Sequence, residues 1–148
     1  MVSLVIFVVI TATVAQADLD GFLKNLNSQA QADMKNFTVK LSTQFGIPLP
    51  QVETLLKSVS APADAFMVYQ LHKMTNKPPE TVLQTYNRNQ KKGWGVMAKK
   101  LGIKPGSPQF HALKRGDLHF TGAPGSGEEH GHRDEHGKGK GKGKGHNK

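Results

Sequence analysis

The sequence predicts an all-α fold, with one long N-terminal amphipathic helix leading into a compact array of short helices joined by helix-turn-helix-like corners. Three observations predict it. Apolar residues recur at steps of three or four from Asp18 to Phe45, prolines recur where short apolar periods begin, and no convincing strand run is present.

In the first helix the apolar positions are Leu19, Phe22, Leu26, Ala30, Met34, Phe37, Leu41 and Phe45, with Asn25, Gln29, Asp33 and Lys40 on other faces. Asp18 or Asp20 supplies an N-cap. Gly46 and Pro48 stop the helix, since glycine accepts the left-handed cap and proline cannot continue the ladder. Phe37, Val39 and Leu41 also alternate as a strand would, but over too short a stretch to outweigh the helical period.

Proline at the first turn then opens three helices. Pro50 leads Val52, Leu55, Leu56 and Val59; Pro62 leads Phe66, Tyr69, Leu71 and Met74; Pro79 leads Val82, Leu83 and Tyr86. Trp94 to Leu101 forms a fourth, ended by Gly102. Ser107 caps a fifth at Pro108, which carries Phe110 and Leu113 and ends at Gly116. A weak repeat accompanies these corners. Met74–Pro78 aligns with Leu101–Pro105 at an offset of 27, and Phe45–Pro48 is a looser third copy. Convergence of short helices on one turn solution explains the repeat most simply.

Three compositional zones divide the 148 residues. Residues 1–17 hold no charged side chain, and Ala15 and Ala17 supply the small-residue pattern of a signal-peptide cleavage site just before Asp18. Residues 18–120 hold the periodic apolar positions and form one helical domain. Residues 121–148 hold 9 of the 16 glycines and carry a Gly-Lys alternation from Gly137 to Gly145, a composition that cannot offset its ordering entropy by burial and so predicts a disordered tail. The expected location is periplasmic or secreted.

Stretches from Gly93-Trp94-Gly95 through Ala98-Lys99-Lys100-Leu101-Gly102-Ile103-Lys104-Pro105-Gly106-Ser107 to Phe110-His111-Ala112-Leu113-Lys114 resemble a family of small exported bacterial proteins of uncharacterised function. Those proteins join a signal peptide, a helical body and a Gly/Lys/His-rich end. The resemblance covers most of the chain from about Phe37. It implies an envelope or secreted location and transfers no catalytic residue.

Cysteine is absent, which excludes disulfides, thiolate metal sites and a cysteine nucleophile. Charge placement is the sharpest signal. Lys and Arg number 20 against 11 Asp and Glu, and no acid lies between Glu80 and Asp117, where Arg88, Lys91, Lys92, Lys99, Lys100, Lys104, Lys114 and Arg115 all fall. A surface of one sign attracts anionic polymers or lipid head groups. Trp94, between two glycines that permit close backbone approach, is expected to be mainly a core anchor surrounded by Met97, Leu101 and Phe110.

Other readings rank lower. Thr81, Gln84, Thr85 and Arg88 share a helix face behind a corner, as in a DNA recognition helix, but export argues against a chromosomal target. In the tail, His130, His132 and His136 among nearby carboxylates suit weak binding of Zn²⁺, Ni²⁺ or Cu²⁺ in an envelope structural or stress protein. Ser107, His111 and Asp117 do not make a triad, because Ser107 is explained as an N-cap; Asp64 and Glu80 suit helix first turns and His72 a polar face. The chain is therefore expected to be a non-enzymatic binding or interaction protein with no cofactor. A protein partner is a further expectation of this reading; nucleic acid is the weaker candidate.

Overall fold

A computed structural model describes residues 17–124. The leader with the Ala15 and Ala17 site, and the tail histidines His130, His132 and His136, lie outside the described residues, Ala17 being present only as the first helical residue. Among the described residues the protein is all-helical: α1 (Ala17–Ala32), α2 (Met34–Phe45), α3 (Leu49–Ser58), α4 (Pro62–Thr75), α5 (Pro79–Asn89), a single 3₁₀ turn (Gln90–Lys92), α6 (Trp94–Lys100) and α7 (Pro108–Arg115). No described helix is long and apolar enough to cross a membrane.

The expected single helix from Asp18 to Phe45 is two helices. Asp33 leaves helical geometry (φ −155°, ψ 89°), and its carboxylate accepts the Asn36 N–H at 2.9 Å as an N-cap for α2. Asp prefers this role to a helix interior because its short side chain competes for backbone N–H groups. The interruption changes which residues next to it face the core. Met34, expected inside, is 45 % exposed, while Phe37, Leu41 and Phe45 keep their buried positions and Thr38 and Gln44 join them.

Helix α4 is the axle of the fold. Ala63 and the whole run from Ala65 to Leu71 are buried, so the helix is covered on all sides. Helices α1, α2, α3 and α5 pack around it, and α6 and α7 close the ring between α5 and α1. Phe66 sits at the centre, with Phe22, Phe45 and Phe120 ring centroids 5.4–5.7 Å away in edge-on geometry. The start of α4 lacks a capping side chain of its own. Asn27 on α1 accepts the Ala63 N–H at 2.8 Å instead, and Asp64 accepts the Ala61 N–H at 3.2 Å.

The α2–α3 and α4–α5 corners are near copies. Each has a left-handed residue (Gly46, φ 66°; Asn76, φ 53°), one linking residue and a proline N-cap with φ near −54° and ψ near 140° (Pro48, −55°/138°; Pro78, −53°/144°). A side chain from the last turn of the first helix closes both: Ser42 Oγ donates to the Ile47 carbonyl at 2.7 Å, and His72 Nδ1 donates to the Lys77 carbonyl at 2.6 Å. The best-matched pair is therefore 46–48 with 76–78. The 102–105 corner departs from it, since Gly102 is followed by a Pro105-Gly106 turn and the Ser107 cap, whose hydroxyl accepts the Phe110 N–H.

Ordered packing continues past the expected boundary at Phe120. Buried Gln44 donates from Nε2 to the His119 carbonyl at 2.6 Å and accepts the N–H groups of Thr121 and Gly122 at 3.1 Å each. Phe120 rests on Phe37 and Phe66. Gly122 has φ 73° and lies so near Lys40 that an added Cβ would come within 2.7 Å of it, so glycine is required there.

Candidate anion-binding site

Gly93 turns the chain with φ 81° and ψ 161°, a conformation open to glycine, and so starts α6 at Trp94. Nothing lies within 4 Å of the position a Cβ would take at Gly93, so this glycine serves the turn and not a close approach. The expectation that Trp94 is a core anchor is met on one side only. Its ring stacks on Tyr86 with centroids 5.5 Å apart and planes at 20°, yet the residue is only half-buried. Trp94 lines a surface concavity of about 410 Å³.

The brace behind the indole is hydrogen-bonded to the start of α4 and to the turn before it. Tyr86, itself buried, donates its hydroxyl to Asp64 Oδ2 at 2.7 Å and accepts the Ser60 N–H at 3.1 Å. Asp64 is thus more than a first-turn carboxylate: it ties α5, and through it Trp94, to the start of the central helix. Burial pushes the Tyr86 phenol up, with Asp64 adding to the rise and the Ser60 hydrogen bond opposing it. Tyr69, buried in the core, is pushed up to about 12 by burial and, secondarily, by Glu80. Both phenols thus resist ionisation when folded. Stability is fully present below the ordinary tyrosine value of 10.0 and is lost as pH rises through it toward about 12. Thermal melts should therefore be insensitive to tyrosine ionisation up to about pH 9 and fall steeply above pH 10. Tyr69→Phe should remove part of that fall.

Three of the sequence-predicted cations meet at the Trp94 concavity: Lys92 from the 3₁₀ turn, Lys99 from α6 and Lys114 from α7. All three are exposed, and the Lys114 ammonium is 5.8 Å from the centre of the Phe110 ring. Asp20 of α1 is the one carboxylate in the lining. The remaining five cations do not line it. Arg88, Lys91 and Lys100 are exposed elsewhere, Lys104 borders a separate cleft with Met74 and Thr75, and Arg115 is paired with Asp117 at 2.9 Å. The eight-cation surface is thus differentiated, with a three-lysine centre around an aromatic floor. Phe110 lies in that lining beside Trp94 as expected, whereas Leu19 and Asp20 of α1 were not expected there. Nothing local in the sequence marks α1 as the neighbour of α6 and α7.

Thr81, Gln84 and Arg88 are exposed on α5, and the Thr85 hydroxyl is turned back to the Thr81 carbonyl at 3.0 Å. Among the described residues no group of three His, Asp or Glu side chains is placed to hold a metal ion. The chain matches no family model, no curated protein and no solved structure.

Proposed function

We propose that the protein is an exported, non-enzymatic binding protein for anionic polymers or anionic lipid head groups, periplasmic or secreted, held by residues 18–124 at the Trp94 concavity. The observation that carries this reading is the convergence of Lys92, Lys99 and Lys114 from three elements on a half-exposed indole. Three ammonium groups supply attraction for repeated negative charge, and the indole offers a flat apolar surface beside them for a sugar ring, base or acyl-head-group boundary. The Tyr86 brace lowers the ordering cost of presenting that surface. The lysines of the tail carry the same sign and extend the capture radius. The leader with Ala15 and Ala17, and the resemblance to small exported bacterial proteins, support the location.

The experiment is retention of residues 18–124, and of the chain from Asp18 to Lys148, on heparin, duplex DNA and anionic vesicles at low and physiological salt. Residues 18–124 alone should bind at low salt and release as salt rises. Failure of that form to bind any of the three overturns the reading, and retention of the longer form alone assigns binding to the tail.

A further inference from the structure

A second concavity, of opposite electrostatic character, lies between α3 and α5 where both lean on α4. It measures about 320 Å³, near the lower end of small-molecule sites. The prolines that start the two helices, Pro50 and Pro79, give it rigid walls, and Leu55 and Leu83 make the interior apolar. Both helices are entered through near-identical corners, and both pack on α4.

Gln51, Thr54 and Ser58 also line it, the Thr54 and Ser58 hydroxyls donating back to the Pro50 and Thr54 carbonyls, and two further polar features bear on a ligand. The first is Tyr69, only 2 % exposed, which lines the groove. Its hydroxyl makes no hydrogen bond among the described residues, in contrast to Tyr86, whose hydroxyl is doubly engaged. The Tyr69 oxygen is not sealed in the core, so the little surface this residue keeps lies at the groove. That hydroxyl is open to the groove and unpaired within the described residues, so it is available to donate to an acceptor that a ligand brings. The second feature is Glu80, the one charged side chain in the lining. It disfavours an anionic acceptor beside Tyr69 and favours a cationic group. The volume admits an apolar body of about a dozen non-hydrogen atoms.

We infer that this groove binds a small apolar amine, whose neutral oxygen acceptor takes the Tyr69 hydroxyl hydrogen bond and whose ammonium group sits against Glu80. This site is independent of the Trp94 concavity: it uses different helices and selects the opposite charge.

The test is an amide-detected NMR titration of the chain from Asp18 to Lys148 with phenylalanine amide, which carries a phenyl body, a neutral carbonyl and an ammonium. The comparison probe is 3-phenylpropionate, of similar body and opposite charge. Phenylalanine amide should give saturable shifts centred on Thr54 and Leu83 and should bind more tightly than phenylpropionate. Tyr69→Phe should weaken it about tenfold, the worth of one hydrogen bond at a buried site. The same variant should melt no lower than the parent, because the lost hydroxyl has no partner in the folded chain. Glu80→Gln should erase the preference between the two probes. No saturable shift at millimolar probe, equal affinity for the two probes, or unchanged affinity in Tyr69→Phe each overturns the inference. Heparin should not displace the amine, so failure here and failure of the anion-binding proposal are separable.

Discussion

Replacing Gln44 by alanine is expected to lower stability by about 2–4 kcal/mol. The residue is 1 % exposed and makes three hydrogen bonds to backbone groups of residues 119–122, so its loss strands one carbonyl and two N–H groups. Each such bond contributes about 1 kcal/mol net, and a buried group left unsatisfied costs about 1–3 kcal/mol before any cavity is counted. Water can reach the exposed Thr121 side of the strap, which keeps the total below the sum of the worst cases. Chain length gives the matching comparison. Ending the chain after Pro124 keeps all three bonds and should leave the melting temperature unchanged. Ending it after Phe120 removes both N–H donors and should reproduce much of the Gln44→Ala loss. Urea titration of the three forms measures all of this. Equal stability of the two truncations would mean that the Gln44 bonds to Thr121 and Gly122 contribute nothing.

The second large effect concerns binding. Lys92, Lys99 and Lys114 changed together to Gln should weaken association of residues 18–124 with anionic vesicles about a hundredfold at low salt. The basis is about 1 kcal/mol per cation near an anionic surface, hence about 3 kcal/mol for three. On duplex DNA the salt slope should flatten by about 2–3, at about 0.9 for each phosphate no longer neutralised. Changing Arg88, Lys91 and Lys100 to Gln alters net charge by the same amount but spares the Trp94 lining, so its effect should be clearly smaller. Equal losses in the two triple variants would reduce the site to diffuse charge. All six side chains are exposed, so neither variant is expected to unfold the domain.

Much of the architecture is legible in the chain because its punctuation is local. Pro50, Pro62, Pro79 and Pro108 sit in helix first turns, and Gly46, Gly102 and Gly116 adopt positive φ at or just beyond helix ends, for reasons that involve only neighbouring residues. Asp33 escaped this logic. One polar residue on the outer face of a periodic run looks like ordinary surface, and only the backbone geometry shows that it caps a new helix. Gln44 and Asn27 were illegible for another reason. Their partners lie 75–78 and 36 residues away, and a buried amide carries no sequence mark that distinguishes it from an exposed one. The site was legible as a charge run but not as a place. Charge counting grouped eight cations, whereas packing α7 against α1 and α6 decides which three of them share a concavity with Trp94.

Trp94 is the single tryptophan of the chain, so its emission reports on the proposed site without any added label. The most direct measurement is a fluorescence titration of residues 18–124 with a heparin oligosaccharide at low salt, repeated at physiological salt and in the Lys92/Lys99/Lys114→Gln variant. A site at the indole predicts a saturable change in emission that salt reverses and the triple variant loses. Tight binding by the same protein with Trp94 emission unchanged throughout would contradict it and move the contact elsewhere on the basic surface.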